Sequence, residues 1–308
     1  MAFRLTSDDL DMLVSIADHR ILPIRHVGIL HRRNLAALRR RLRLVADQGL
    51  IRLATQGYRP SAGRPESLVS LLDGGVDLLK KRRLLDADVP AEHVTADRLG
   101  CLEHHLLLNE FRVQMAQVSR IVPTLTVRFL SSMSPKLYQT SASRSAIHER
   151  FRPKDDSGEW VEFTPDGVLA IRHAEAGKTV LLFLEVDMGT ETVASPQPFC
   201  PDIRQKIVNY KMYFELCGYK RYEQTWKCRL NGFRLLFLTH NTARLATLAR
   251  LVREVRPAQF IWLTDQRSLM SQGVWAPIWA PSGLTDVVPK SILGSQTPSP
   301  APTPADLP

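Results

Sequence analysis

The chain has 308 residues, 44% of them hydrophobic, and a formal net charge of +10 from 41 Lys and Arg against 31 Asp and Glu. That length suffices for two domains with real cores. No apolar run approaches the ~20 residues of a bilayer span, no apolar leader follows Met1, and Cys101, Cys200, Cys217 and Cys228 show neither CxxC spacing nor a zinc pattern, so the expectation is a cytoplasmic protein with reduced thiols and no membrane partner.

The positive charge is confined. From Arg20 to Arg64 there are eleven Arg (20, 25, 32, 33, 39, 40, 41, 43, 52, 59 and 64) and one acid, Asp47, so this segment alone accounts for the net charge. A basic patch set in a near-neutral remainder points to a polyanionic partner, most simply nucleic acid.

Thr6-Ser7-Asp8-Asp9 reads as a helix N-cap with acids in the first turn, and Leu10, Leu13, Val14 and Ala17 follow at helical spacing. Pro23 starts a second short helix that includes Val27 and Leu30. Asn34 caps a third, with Leu35, Leu38, Leu42 and Val45 on one face and Arg40 and Arg43 on or near the other. Gly49 closes that helix. A two-stranded ribbon follows, Leu50–Leu53 and Leu68–Leu72, with Arg59 and Arg64 at its tip, and Gly74-Gly75 opens another helix. Three helices and a ribbon with a basic tip describe a winged helix, whose third helix enters the major groove of double-stranded DNA. Residues at the start of that helix reach base edges, which selects Arg33, Asn34 and Arg40. Arg39, Arg43, Arg59 and Arg64 hold phosphates, and Arg32 completes the DNA-facing set. The competing reading of the same arginines is a solvated helix face.

Asp86–Asp97 is polar and contains Pro90, which places a domain boundary there. Domains are expected at 1–88 (winged helix) and 96–290, with a disordered Pro-rich tail at 291–308. Leu99–Val118 reads as an amphipathic helix with Leu102, Leu106, Leu107, Glu110, Val113 and Ala116 facing inward; Glu110 is unusual in that company. Strands are expected at Leu125–Leu130, Glu162-Phe163, Val168–Arg172, Val180–Asp187, Phe233–Thr239 and Gln259–Leu263. Helices are expected at Ile203–Leu216 and Thr242–Val255, and loop or irregular chain at Ser131–Lys154 and Thr190–Pro201.

Within this domain Pro165-Asp166 precedes one strand and Glu185-Val186-Asp187 ends the next. Side chains alternate along a strand, so Glu185 and Asp187 share a face, and Asp166 on the neighbour would complete a cluster of three carboxylates. Such a cluster is self-repelling unless a cation sits between its members. Its oxygen-only donors suit Mg²⁺, which would activate water for phosphodiester hydrolysis. The element order is that of an α/β sandwich and fits a restriction-endonuclease-like core. The signature of that core is an acid after proline, then Asp/Glu-x-Lys. Here the third position holds Asp187 in place of Lys. Lys206, on the following helix, is the candidate replacement, Arg204 a weaker one, and Glu110 the candidate additional helix acid. In the alternative, Glu185 and Asp187 pair with Arg204 and Lys206 as structural ions and no chemistry survives.

Together, the basic winged helix, the segment EHHLLLNEFR (Glu103–Arg112), the PDG of Pro165–Gly167, FLEVDMGTE (Phe183–Glu191) and IRQKIVNYKMYF (Ile203–Phe214) resemble the bacterial replication-relaxation family, over most of residues 5 to 285. The resemblance implies DNA binding, a role in plasmid or mobile-element replication and mobilisation, and partners among plasmid replication or mobilisation proteins. A Mg²⁺-dependent nickase or endonuclease and a winged-helix transcriptional regulator are the alternatives. Winged helices often form homodimers, although no heptad or obvious dimer helix shows here.

Overall fold

The computed structural model describes residues 3–55, 66–132, 134, 138–139, 144–145, 147–153, 159–195, 202–284 and 288–294. Arg59 and Arg64, at the expected wing tip, lie outside them, as do residues 295–308 of the expected tail, whereas Ser291, Ile292 and Leu293 at its expected start are buried. Contacts divide the chain into two compact units. The first is built on Met1–Val113 with Met133–Ala146, the second on Gln114–Ser132 with the chain from Ile147 onward.

Unit 1 begins with α1 (Ser7–His19), capped as its sequence dictates. The Thr6 hydroxyl accepts from the Asp9 amide, and the Asp9 carboxylate accepts in return from the Thr6 amide at 2.7 Å. Strand β1 (Ile21–Pro23) leads into α2 (Ile24–His31). Helix α3 (Leu35–Ala46) follows, with Asn34 accepting from the amides of Ala36 and Ala37. Strands β2 (Ile51–Thr55) and β3 (Ser67–Leu71) form the wing ribbon, and α4 (Asp73–Lys81) packs behind them. Gly74 and Gly75 open α4 because nothing larger fits. A Cβ on Gly75 would lie 2.2 Å from the Leu50 carbonyl oxygen, and one on Gly74 would lie 2.7 Å from that of Gly49.

The ribbon is wider than the sequence indicates. Ile21–Pro23 pairs antiparallel with β3, giving a three-stranded sheet of order β1-β3-β2. A three-residue strand ending in proline carries no alternation to read, and it exists only through its pairing. Leu38, Leu42 and Val45 of α3 are buried in the unit's core with Leu13, Ile16, Val27 and Val69. Leu35 is 37% exposed, which corrects its placement on the core face.

Helix α5 (Leu102–Ile121) is buried around its whole middle, Leu106 to Met115, rather than along one stripe. Its residues to Val113 belong to unit 1 and those from Gln114 to unit 2; Ala116, expected inward, is exposed.

In unit 1, Glu110 is 2% exposed and accepts from Arg25 Nη2 at 2.6 Å and His26 Nε2 at 2.9 Å. Arg25 also reaches Glu66, and Asn109 donates to the carbonyls of His19 and Ile21. The oddly placed acid thus ties α5 to the entry of α2 within unit 1.

Unit 2 is a six-stranded mixed sheet. Strand β4 (Leu125–Ser131) is its edge. Two short ribbons intervene in the chain, β5 (Tyr138–Gln139) with β6 (Arg144–Ser145), which belongs to unit 1, and β7 (Glu149–Phe151) with β8 (Val161–Phe163), which belongs to unit 2. Strands β9 (Gly167–His173) and β10 (Lys178–Asp187) complete an antiparallel meander. Helices α6 (Ile203–Glu215) and α7 (Arg221–Trp226) then lead to β11 (Phe233–Thr239), α8 (Thr242–Glu254), β12 (Ile261–Asp265), α9 (Gln266–Gln272) and β13 (Ala280–Pro281).

The order is β13-β12-β11-β10-β9-β4, with β10, β11 and β12 parallel. Leu181, Leu182, Phe183 and Leu184 are all fully buried, as a central strand covered on both faces requires. This is the mixed α/β core expected from the element order. Two short helices, α7 and α9, escaped sequence reading because each is under two turns and too short to show a period.

Removing the carboxylate that Arg25 and His26 share leaves a largely buried guanidinium and a buried imidazole without that acceptor. Glu110→Ala is therefore expected to destabilise the protein by about 3–5 kcal/mol in urea unfolding. A loss below about 1 kcal/mol, the scale of an exposed ion pair, would contradict the role assigned to Glu110.

Candidate functional site

Two groups of side chains stand out, one in each unit. In unit 1 the nine described arginines of the cluster separate into two sets. Arg20 donates to the carbonyls of Thr95 and Glu92, Arg25 pairs with Glu110 and Glu66, and Arg52 pairs with Asp97. Arg41, on α3 itself, turns inward onto the buried Asp9 of the α1 capping box, Nε lying 2.8 Å from Oδ1. Asp9 is held below the usual carboxylate range: burial works against ionisation, but the Arg41 and Thr6 donors outweigh it. These four are structural.

Arg32, Arg39, Arg40 and Arg43 are exposed and have no ion-pair partner among the described residues. Arg33 pairs with Asp8 on α1, and the Asn34 side-chain oxygen is occupied as the α3 cap. Ala36 and Ala37 are exposed beside Arg40, so the first turn presents backbone and short side chains around one long guanidinium. Of the three residues expected to reach base edges, Arg40 is thus the one whose side-chain end has no assigned role inside the fold.

In unit 2 the second group gathers where β10 ends. The parallel strands β10, β11 and β12 run into helices whose first turns lie beyond the strand carboxyl ends, the usual location of sites in open α/β sheets. Asp166 continues the ladder into β9. Its amide donates to the Leu184 carbonyl at 3.1 Å, and its Oδ2 accepts from the Val186 amide at 2.8 Å. Glu185 is 5% exposed. Its Oε1 accepts from the Tyr210 hydroxyl at 2.5 Å and its Oε2 from Lys206 Nζ at 3.2 Å. Lys206 and Tyr210 are one turn apart on α6, so both reach the same strand position. Lys206 also contacts Glu191 at 3.1 Å.

Burial raises the Glu185 carboxyl to about 7; the Lys206 ammonium opposes this and the neighbouring Asp166 adds to it. Burial alone would depress Lys206, but Glu185 and Glu191 outweigh it and hold the ammonium above its ordinary range.

Asp187 takes a different partner. Arg244, in the first turn of α8, donates to it twice, Nε to Oδ2 at 2.5 Å and Nη2 to Oδ1 at 3.0 Å. The Gly189 amide also donates to Oδ1 at 3.0 Å, from a left-handed turn (φ +78°) where a Cβ would strike the His240 ring.

The structure therefore joins Asp166, Glu185 and Lys206, and it commits Asp187 to a guanidinium. Arg204 pairs with Glu254 instead. Among the described residues no group of three acids, histidines or cysteines is placed to hold a metal ion. Arg244 and Tyr210 were missed in the sequence. The available signal was topological: in parallel α/β units the first-turn polar residues of each crossover helix converge on the strand ends.

A comparison with known protein families matches residues 13–226, well over half of the chain, to the family described as Replication-relaxation. No curated protein and no solved structure matches the chain. Among the described residues no helix is long and apolar enough to cross a membrane.

Folded Glu185 holds its proton up to about 7, whereas an ordinary glutamate releases it near 4.5. The folded state is thus favoured most below the lower value, and that contribution is lost as pH rises through the upper one. Glu185→Gln removes this loss. From about pH 4.5 to 7 its unfolding free energy is expected to fall less than the wild type's, by roughly 1–3 kcal/mol across the window. Parallel stability profiles from urea melts would show that Glu185 does not titrate there.

Proposed function

The chain belongs to the replication-relaxation family, whose members serve plasmid and mobile-element replication and relaxation, and we propose that it does so by binding double-stranded DNA through the winged-helix unit, with α3 laid in the major groove. The observation that carries this reading is the separation of arginines on one helix. Arg41 turns inward to Asp9, while Arg39, Arg40 and Arg43 stay exposed without a carboxylate partner among the described residues. A merely solvated helix has no need of three unpaired guanidiniums beside two exposed alanines. A phosphate-lined groove supplies both the counter-charge and the close approach. In this reading Arg40 reads a base edge and Arg39 and Arg43 hold phosphates.

A second reading is favoured by Asp166, Glu185 and Lys206 at the end of β10. Here unit 2 is a Mg²⁺-dependent nickase. Asp166 and Glu185 are the residues that would hold the ion, which when bound supplies an activated water and charge stabilisation. Asp187 is outside this set because Arg244 occupies both of its oxygens. Lys206, reaching the site from α6, would take the place of the lysine expected at position 187 and face the scissile phosphate.

Arg40→Ala is expected to weaken binding to the cognate site by about 1–3 kcal/mol with little change on random DNA. Arg43→Ala should weaken both alike and lower the salt slope by about one. Fluorescence anisotropy at several salt concentrations checks both, and equal loss on random DNA for Arg40→Ala contradicts base reading. For the second reading, supercoiled plasmid carrying the cognate site should be nicked with Mg²⁺ by wild type and not by Asp166→Ala, Glu185→Ala or Lys206→Ala. A wild type that leaves the plasmid intact sinks it and leaves the DNA-binding proposal standing.

A further inference from the structure

The sheet face that carries Glu185 continues to the other end of β10, where it opens into a cavity of about 260 Å³. Thr126 and Arg128 line it from β4, Arg172 from β9, Thr179 from β10, and Trp226 and Cys228 from the end of α7 and the chain just beyond it. Register places these side chains together. Arg128 lies opposite Ala170, and Arg172 lies opposite both Thr126 and Thr179. The two arginines are thus diagonal neighbours on one face of an antiparallel pair, within reach of each other's long side chains.

Three features of this cavity have no account in the fold. First, both guanidiniums are exposed and neither has an ion-pair partner among the described residues. Elsewhere in unit 2, Arg150, Arg204, Arg221 and Arg244 each take a carboxylate. Second, no acid lines the cavity among the described residues, so two like charges sit diagonally on a sheet with nothing between them. Third, the Thr179 hydroxyl oxygen is buried without a hydrogen-bond partner, and a buried hydroxyl left unpaired is destabilising. A polar ligand that accepts from two guanidiniums and a hydroxyl answers all three at once. A phosphate group has that chemistry, with several acceptor oxygens, negative charge and a geometry that arginine forks match.

We propose that this cavity binds phosphate, either as a free anion or mononucleotide or as a phosphodiester of a DNA strand. Arg128 and Arg172 flank the group, Thr179 donates to it, and the Trp226 side supplies an apolar wall. Thr179 and Glu185 are six residues apart on β10, which is roughly 20 Å of strand. The cavity is therefore separate from the carboxylate site on the same face and gives unit 2 an anion contact independent of α3.

The test uses the full-length chain carrying Arg39→Ala/Arg40→Ala/Arg43→Ala, so that the proposed α3 contacts do not contribute. It is titrated calorimetrically at low salt with inorganic phosphate, with deoxyadenosine monophosphate and with a short single-stranded oligonucleotide. Saturable binding of at least one probe is expected, weakened tenfold or more by adding Arg128→Ala/Arg172→Ala and several-fold by adding Thr179→Val. Binding of phosphate or the mononucleotide identifies a free ligand, and binding of the oligonucleotide alone identifies a backbone phosphate. The ligand-free melting temperature of the arginine variant should hold or rise, because a like-charge pair is removed; a fall would mark the arginines as structural and overturn the proposal. No saturable binding, or equal binding in all variants, would also overturn it. Because only the loss on adding Arg128→Ala/Arg172→Ala or Thr179→Val counts, this outcome is distinguishable from that of the DNA-binding reading.

Discussion

A carboxylate removed from water must be met by donors, and much of this protein is arranged around that requirement. Asp9, Glu110, Glu149, Glu185 and Asp187 are each buried to 6% exposure or less. Each is met by at least two donor groups: Arg41 and Thr6; Arg25 and His26; Tyr213, Tyr222 and Arg221; Tyr210 and Lys206; Arg244 and the Gly189 amide. Removing one partner of such a group costs far more than losing a surface pair. These clusters therefore fix which helix surface faces which strand. The same requirement divides the arginines. Those matched to a buried acid turn inward, and those left over stay on the surface with their charge available to a ligand.

The site in unit 2 follows from the sheet's direction. Strand β10 is antiparallel to β9 and parallel to β11, so its carboxyl end lies beside the start of β9 and beneath the first turns of α6 and α8. Asp166 arrives through the β9 ladder, Glu185 and Asp187 through the alternation of β10, and Lys206 and Arg244 through two crossover helices. The aromatic layer beneath them, Phe183 against Tyr210 and Tyr213 with Phe233 alongside, holds α6 on the sheet. Tyr210 and Tyr213 use their rings for this packing and their hydroxyls for Glu185 and Glu149, so packing and polar satisfaction are joined in the same residues.

Much of the architecture was legible from pattern. The α1 and α3 caps, the core stripe of α3, the meander of β4, β9 and β10 and the helices after β10 and β11 all carry strong local signals, and local signals survive into the fold when nothing competes with them. What was not legible had non-local causes. Ile21–Pro23 becomes a strand only because β3 lies beside it. The middle of α5 is buried from Leu106 to Met115 without an exposed stripe, so its sequence shows no single inward face. In α6, Tyr213 is buried together with Ile207 and Tyr210 although it carries a hydroxyl. Its hydroxyl can be buried because Glu149, more than sixty residues earlier, accepts from it.

For the site, spacing alone placed Glu185 and Asp187 on one face and set Asp166 beside them, because alternation and register are properties of the backbone. The likeness to a restriction-endonuclease-like core, and not spacing, pointed to Lys206 on the following helix. Spacing did not decide which cation each acid would take. That depends on side-chain length and on where each crossover helix lands, and it gave Lys206 to Glu185 and Arg244 to Asp187. The sequence likewise determined that positive charge is concentrated before residue 65, but only tertiary structure decided which arginines remain exposed. Charge is a property of composition, whereas its availability depends on which acids the fold brings within reach.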